Sequence, residues 1–200
     1  MNHTHRIFLA LLLSAISIVY AAEPDTVSMI YEPQTRDVEP TRIANACPIA
    51  VASVSDQRNN KETIGTEYFT LLSGNPIPWI SAALENLRAY GYPITKDGSP
   101  PAGGIAISAE LIRSYVYHGP MRINGMVAVN TNYTLPSGEK INRKYRASGN
   151  KMNMAGSTSE YMTTLNYSVN NLLDKMAFDL QELCVKVAPN PGIASTSDRR

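Results

Sequence analysis

Apolar and polar positions along the chain follow two periods, and each maps onto a different kind of element. Ile105, Ile107, Ala109 and Leu111 alternate with Ala106, Ser108, Glu110 and Ile112, so residues 105–117 read as a long strand. Tyr115 and Tyr117 continue the side that carries Ile107 and Leu111, which predicts that both rings belong to the core. Residues 122–133 alternate in the same way, with Ile123, Gly125, Val127 and Val129 against Met126, Ala128 and Asn130. A third, more polar strand covers residues 140–152. The turn sequences His118-Gly119-Pro120 and Pro136-Ser137-Gly138 join the three as an antiparallel meander. Upstream, residues 48–55 are short, apolar and β-branched, and a polar run from Asp56 to Asn60 ends them, so they read as a first strand. Residues 67–72 suggest a second short one.

The other period is helical. After Pro76 and Pro78, the residues Ile80, Ala83, Leu84, Leu87 and Tyr90 recur at helical spacing, with Glu85, Asn86 and Arg88 opposite, and Gly91 supplies the stop. A longer helix is predicted over residues 159–187, where Leu165, Val169, Leu172, Leu173, Met176, Leu180, Leu183 and Val187 form one apolar stripe. Ser157-Thr158-Ser159-Glu160 offers N-cap residues with an early acid, and Pro189 marks the far end. The order strand, helix, three strands, helix predicts an α+β fold: a two-layer sandwich with an antiparallel meander sheet and two helices packed on one face.

Before the first strand the pattern changes twice. Ile7 to Val19 is a run of about 13 residues, apolar but for Ser14 and Ser17 and preceded by Arg6; that is short of the roughly 20 residues a spanning helix needs. With Val19-Tyr20-Ala21 at its end, residues 1–21 read as a signal peptide cleaved after Ala21. Residues 22–46 carry Pro24, Pro33 and Pro40 without an apolar period and read as an extended arm. Residues 47–188 are the expected α+β domain, and 189–200 a flexible tail. The chain has 200 residues, 44% hydrophobic and 18% charged, enough to bury a core without a metal. Removing the leader leaves 17 basic against 17 acidic side chains, which gives no electrostatic footprint for nucleic acid. No second apolar run approaches spanning length, so no stable membrane span is expected. The leader suits a periplasmic location, with full secretion left open.

Candidate chemistry is sparse. An exported chain with two cysteines, Cys47 and Cys184, points to a disulfide, with two buried thiols or a reactive thiol as the alternatives. His118 is the only histidine after the leader, so any nucleophile–base arrangement using an imidazole would have to use it, and it sits at a turn. No Gly-x-Ser-x-Gly elbow, zinc spacing, calcium loop or phosphate-cradling glycine loop occurs. The reading is therefore no enzyme, no metal and no cofactor. Two charged clusters are the candidate binding surface. Asp56, Arg58 and Lys61 in the first loop make either a ligand contact or a local ion pair. Arg143, Lys144 and Arg146 on the third strand read as a basic face that grips an anionic group or discourages edge pairing. Several of the eleven tyrosines lie on or near the meander, where an exposed row would form an amphipathic recognition surface.

Asp56-Gln57-Arg58 after the first strand, Arg88-Ala89-Tyr90-Gly91-Tyr92 ending the first helix, and Lys144-Tyr145-Arg146-Ala147-Ser148 before the long helix together resemble the YajG-like family of bacterial envelope lipoproteins. The likeness covers roughly residues 48–185. It implies a small envelope protein with a sheet-and-helix domain and no established enzymatic activity. Family members carry a lipid on a cysteine at the end of the signal; the sequence has none there, so membrane attachment does not carry over. The expectation is a non-enzymatic exported binding or accessory module of the bacterial periplasm, with an envelope protein or cell-wall component as partner. A peptidoglycan hydrolase and a soluble subunit of an envelope assembly are the alternatives.

Overall fold

The computed structural model describes residues 26–34, 40–65, 71–95, 99–100 and 102–187. The expected leader, the tail and residues 66–70 of the region around the expected short strand lie outside them. The three alternating segments form long strands, β5 (Ile105–His118), β6 (Arg122–Thr134) and β7 (Lys140–Met152), paired antiparallel in sequence order. The first strand, β2 (Ile49–Asp56), joins this meander on the β5 side. It runs parallel to β5, with Ile49 opposite Ile105 and Asp56 opposite Leu111. The sheet is thus α+β in class but mixed, not the purely antiparallel meander expected. The reason lies in the connection: a helix separates β2 from β5, and such a crossover returns the chain to the end where it started. A two-residue strand, β4 (Ile94–Thr95), pairs parallel to the other edge of β2, which gives the order β4-β2-β5-β6-β7. A second small sheet pairs β1 (Thr26–Val27) with β3 (Leu72–Ser73).

Helix α1 (Pro76–Glu85) starts earlier than its apolar period suggests. Asn75 caps it by accepting from the Ile77 N–H, and both prolines occupy the first turn, where a missing N–H costs nothing. A 3-10 segment, Asn86–Tyr90, continues it until Gly91, at φ 96°, turns the chain. The predicted apolar set of this region, Ile80, Ala83, Leu84, Leu87 and Tyr90, is buried, as is Trp79. Helix α2 (Thr158–Val187) buries all of its predicted stripe except Val187, which is partly buried. Its start is a capping box: the Ser157 hydroxyl accepts the Glu160 N–H, and Glu160 Oε2 accepts the Ser157 N–H.

Helix α2 lies across β7 and β6 at a place where side chains would keep it away. Gly125 and Gly149 sit directly opposite each other on these strands. A Cβ on Gly149 would come within 2.6 Å of Tyr167 Cβ and 2.7 Å of the Ser168 nitrogen, and one on Gly125 within 2.9 Å of the Thr164 carbonyl oxygen. The glycine pair is a shallow slot for the helix backbone. Further along α2, Asn171 and Lys175 reach over the outer edge of β7 and donate to the carbonyls of Ser148 (2.9 Å) and Arg146 (2.7 Å). The edge is thereby partly blunted against pairing with another strand.

Residues 26–32 lie on the same helix. Val27 and Met29 are core residues, Asn166 donates to the Ile30 carbonyl, and Tyr31 donates to Asn170. The other side of Asn166 accepts the Trp79 indole N–H at 2.8 Å, so one buried amide joins α1, α2 and the N-terminal segment. Cys47 and Cys184 form a disulfide, which pins the end of α2 beside the start of β2. No described helix is long and apolar enough to cross a membrane.

Candidate functional site

The first charged cluster is built around a buried arginine. Arg58 is 4% exposed. Its Nε and Nη2 donate to the two carboxylate oxygens of Asp56, both at 2.9 Å. The remaining guanidinium hydrogens go to the Lys61 carbonyl (3.0 Å) and to the hydroxyls of Ser73 and Ser114 (3.2 Å each). All five donors of the fork are used. Burial pushes the Asp56 carboxyl up, but the Arg58 hydrogen bonds and charge, helped by Lys61, outweigh it and hold the group below its ordinary range. The structure therefore brings Asp56 and Arg58 together and leaves Lys61 beside them as an exposed side chain lending its backbone. Charge and reach are spent on joining β2, β3 and β5.

The second cluster does not share one face. Strand alternation sends Arg143 toward α2, 3.9 Å from Asp179, which accepts the Tyr145 hydroxyl at 2.8 Å. Tyr145 in turn bonds Tyr133. Burial pushes both tyrosine hydroxyls well above their ordinary pKa, so this chain stays protonated. Lys144 and Arg146 point the opposite way, onto the sheet face that no described helix or strand covers.

That open face holds residues which the sequence pattern assigned to the core. Between Leu111 and Arg113 a β-bulge shifts the register of β5 against β6. The extra residue reverses the parity of everything after it. Ser114 and Val116 become the buried positions, while Tyr115 is half-buried and Tyr117 is 45% exposed on the outer face. The two rings lie 6.3 Å apart. In register with them across the sheet stand Met126 and Ser148 in one row and Asn124 and Asn150 in the next. The row above is Arg113, Ala128 and Arg146.

Two concavities follow from this arrangement. The larger, about 400 Å³, lies over β6 and β7 between the tyrosine pair, Asn124, Asn150, Arg146 and Lys175. The other, about 330 Å³, lies between β5 and the loop after β2, with Arg113, Asn60 and Thr63 on its walls. Tyr115 borders both, and neither contains a carboxylate in its lining. Arg146 rests its Nε on the Met126 sulfur, and no described carboxylate pairs with it or with Arg113. Glu110, an acid on this face, lies outside both concavities and accepts from Asn130. The asparagines, Lys175 and the tyrosines of the larger groove carry no motif, and only an observed bulge reveals that the rings face outward. His118 lies elsewhere, against Asn153 and edge-on to Tyr161. Among the described residues no three His, Cys, Asp or Glu side chains are grouped to hold a metal ion.

No family model matches the chain, and no curated protein matches it. Among solved structures it is similar to a protein from Xanthomonas campestris of the family DUF330, at 10% identity over 78% of this chain and 96% of that one, with a TM-score of 0.49. A minor lipoprotein from Acinetobacter baumannii is similar at 12% identity over 66% and 94%, with a TM-score of 0.37. A PelC dodecamer from Paraburkholderia phytofirmans is similar at 18% identity over 73% and 95%, with a TM-score of 0.38. Proteins described as lipoproteins recur among these neighbours.

Proposed function

We propose that the chain is an exported protein of the bacterial periplasm, cut after Ala21, and works as a non-enzymatic binding or accessory module of the YajG-like kind on a cell-wall component or envelope partner. The observation that carries this reading is the outer face of the sheet. One face of the five-stranded sheet has no covering helix or strand among the described residues, and it presents polar side chains and two tyrosine rings around a groove where a packed core would present aliphatic ones. The disulfide supports export, since such bonds persist in oxidising compartments. The apolar run after Arg6 supports it independently.

Mature protein mixed with purified peptidoglycan sacculi tests the proposal. Co-sedimentation with no soluble fragments released supports a binder. Release of soluble muropeptides makes the protein a hydrolase and sinks the non-enzymatic reading. Full-length, unprocessed chain recovered from the cytosol sinks the export.

A further inference from the structure

Resting on the reading of the outer face as a binding surface, we propose that its occupant is an acidic saccharide, a chain of sugar rings bearing carboxylates. Charge complementarity is the first ground. After removal of the leader the acids and bases of the chain balance, yet the charged side chains lining the two concavities are Arg146, Lys175, Arg113 and the Asp56-paired Arg58, with no carboxylate among them. Arg146 and Arg113 keep their Nη donors free of any described carboxylate, and a planar fork of this kind matches a carboxylate in bidentate fashion. Both belong to one cross-strand row with only Ala128 between them, so two neighbouring strand spacings of about 4.8 Å separate their backbones. A single small anion would use one of them; a chain with repeated charges uses both.

The second ground is what stands in the two rows next to the arginine row. Tyr115 and Tyr117 present rings whose negative faces attract the C–H-rich face of a sugar ring. Asn124, Asn150 and Ser148 add amide and hydroxyl groups that donate and accept, as hydroxyl-rich rings require. A lipid surface would meet a flat or protruding apolar patch; this one is recessed and polar. Tyr115 borders both concavities, so one extended chain laid across that ring would reach both.

The test is isothermal titration of the mature protein with galacturonate oligomers and with uncharged cello-oligomers of the same length, at low and moderate salt. The expected result is binding of the acidic oligomer, weakened by salt, with the neutral oligomer at least tenfold weaker. Arg146→Gln and Tyr117→Ala each weaken the acidic oligomer tenfold or more without lowering the melting temperature, while Lys140→Gln, on β7 outside both concavities, leaves it unchanged. Equal binding of both oligomers, binding of neither, insensitivity to Arg146→Gln, or binding only to vesicles of anionic phospholipid each overturns the assignment. Sacculus binding that persists in Arg146→Gln overturns it while leaving the module reading intact, and loss of sacculus binding by wild type defeats that reading separately.

Discussion

The contact between α2 and the glycine pair gives a sharp test of how the fold is held. Gly149→Ala adds one methyl group where the nearest heavy atoms would be Tyr167 Cβ at 2.6 Å and the Ser168 nitrogen at 2.7 Å. Ordinary carbon contacts begin near 3.5 Å, so about 1 Å of separation must open. Neither obstacle is the end of a flexible side chain; both belong to the helix frame. The helix cannot simply slide, because the disulfide holds its far end and Asn166 holds α1 to it at the near end. Overpacking of this kind costs about 1–3 kcal/mol. For a domain of this size, 2 kcal/mol corresponds to a melting temperature lower by about 4–8 °C. Thermal unfolding followed by circular dichroism measures it, with Ser148→Ala and Asn150→Ala as controls on the same strand pointing away from α2. Both controls are expected within about 0.5 kcal/mol of wild type. If Gly149→Ala melts with the controls, the helix does not approach the sheet as closely as described, and the explanation of the two glycines is wrong.

Three further outcomes are expected. Replacing both cysteines, Cys47→Ala with Cys184→Ala, frees a loop closed over a sequence separation of 137; chain entropy puts the loss at about 5 kcal/mol at most, or a urea midpoint about 2 M lower, and an unchanged midpoint would refute it. Glu160 accepts from Lys151 and from the backbone of Ala155, Met154 and Ser157, which lowers its pKa from 4.5 to about 2. A carboxyl depressed in the folded state contributes stability above its ordinary pKa and loses it as pH falls toward the folded value. The stability gap between wild type and Glu160→Gln should therefore be full at pH 7 and close between about pH 5 and pH 2; a gap independent of pH in thermal melts would count against the arrangement. Thr131 is buried on β6 with no hydrogen-bond partner for its hydroxyl among the described residues. Thr131→Val should raise stability by about 1 kcal/mol in urea titrations, and a clear loss would mean that the hydroxyl is engaged.

The parts of this fold legible in the sequence are those where one period runs unbroken. The stripe on α2 and the alternation of β6 needed only counting, and the limits of β7 match the expectation to the residue. Where long-range structure intervenes, local pattern misleads. The direction of β2 is set by what connects it to β5, which no property of residues 49–56 encodes. The glycines at 125 and 149 look like weak strand residues until a helix is seen lying on them. Among the site residues, Arg58 looks exposed because it is charged, yet it is buried against Asp56, Ser73 and Ser114, whereas Arg143 is exposed and stands 3.9 Å from Asp179. Lys144 and Arg146 differ from Arg143 only by strand parity, which the triplet itself announces once the strand is recognised.

The bulge at Leu111–Arg113 connects these observations, because it makes one strand serve two environments. Up to Leu111, β5 pairs with β2 and buries its odd-numbered residues. Beyond the bulge β2 has ended, and the neighbour is the loop after it: the Val116 N–H donates to the Ile64 carbonyl at 2.7 Å. Here the inward position is Ser114, whose hydroxyl accepts from Arg58 on the same side as Ser73. Arg58 therefore holds the second half of β5 in the shifted parity, and Asp56, the last residue of β2, neutralises it there. Without the extra residue, Tyr115 and Tyr117 would point at the core and the two concavities would lose their shared border. The charged loop proposed from the sequence as a binding surface is thus related to the site twice over: Arg58, Asn59 and Asn60 line the smaller concavity, and Arg58 sets the parity of the strand beside it. That guanidinium is sequestered within the protein, and what it maintains is the outward turn of the two rings some distance along the strand.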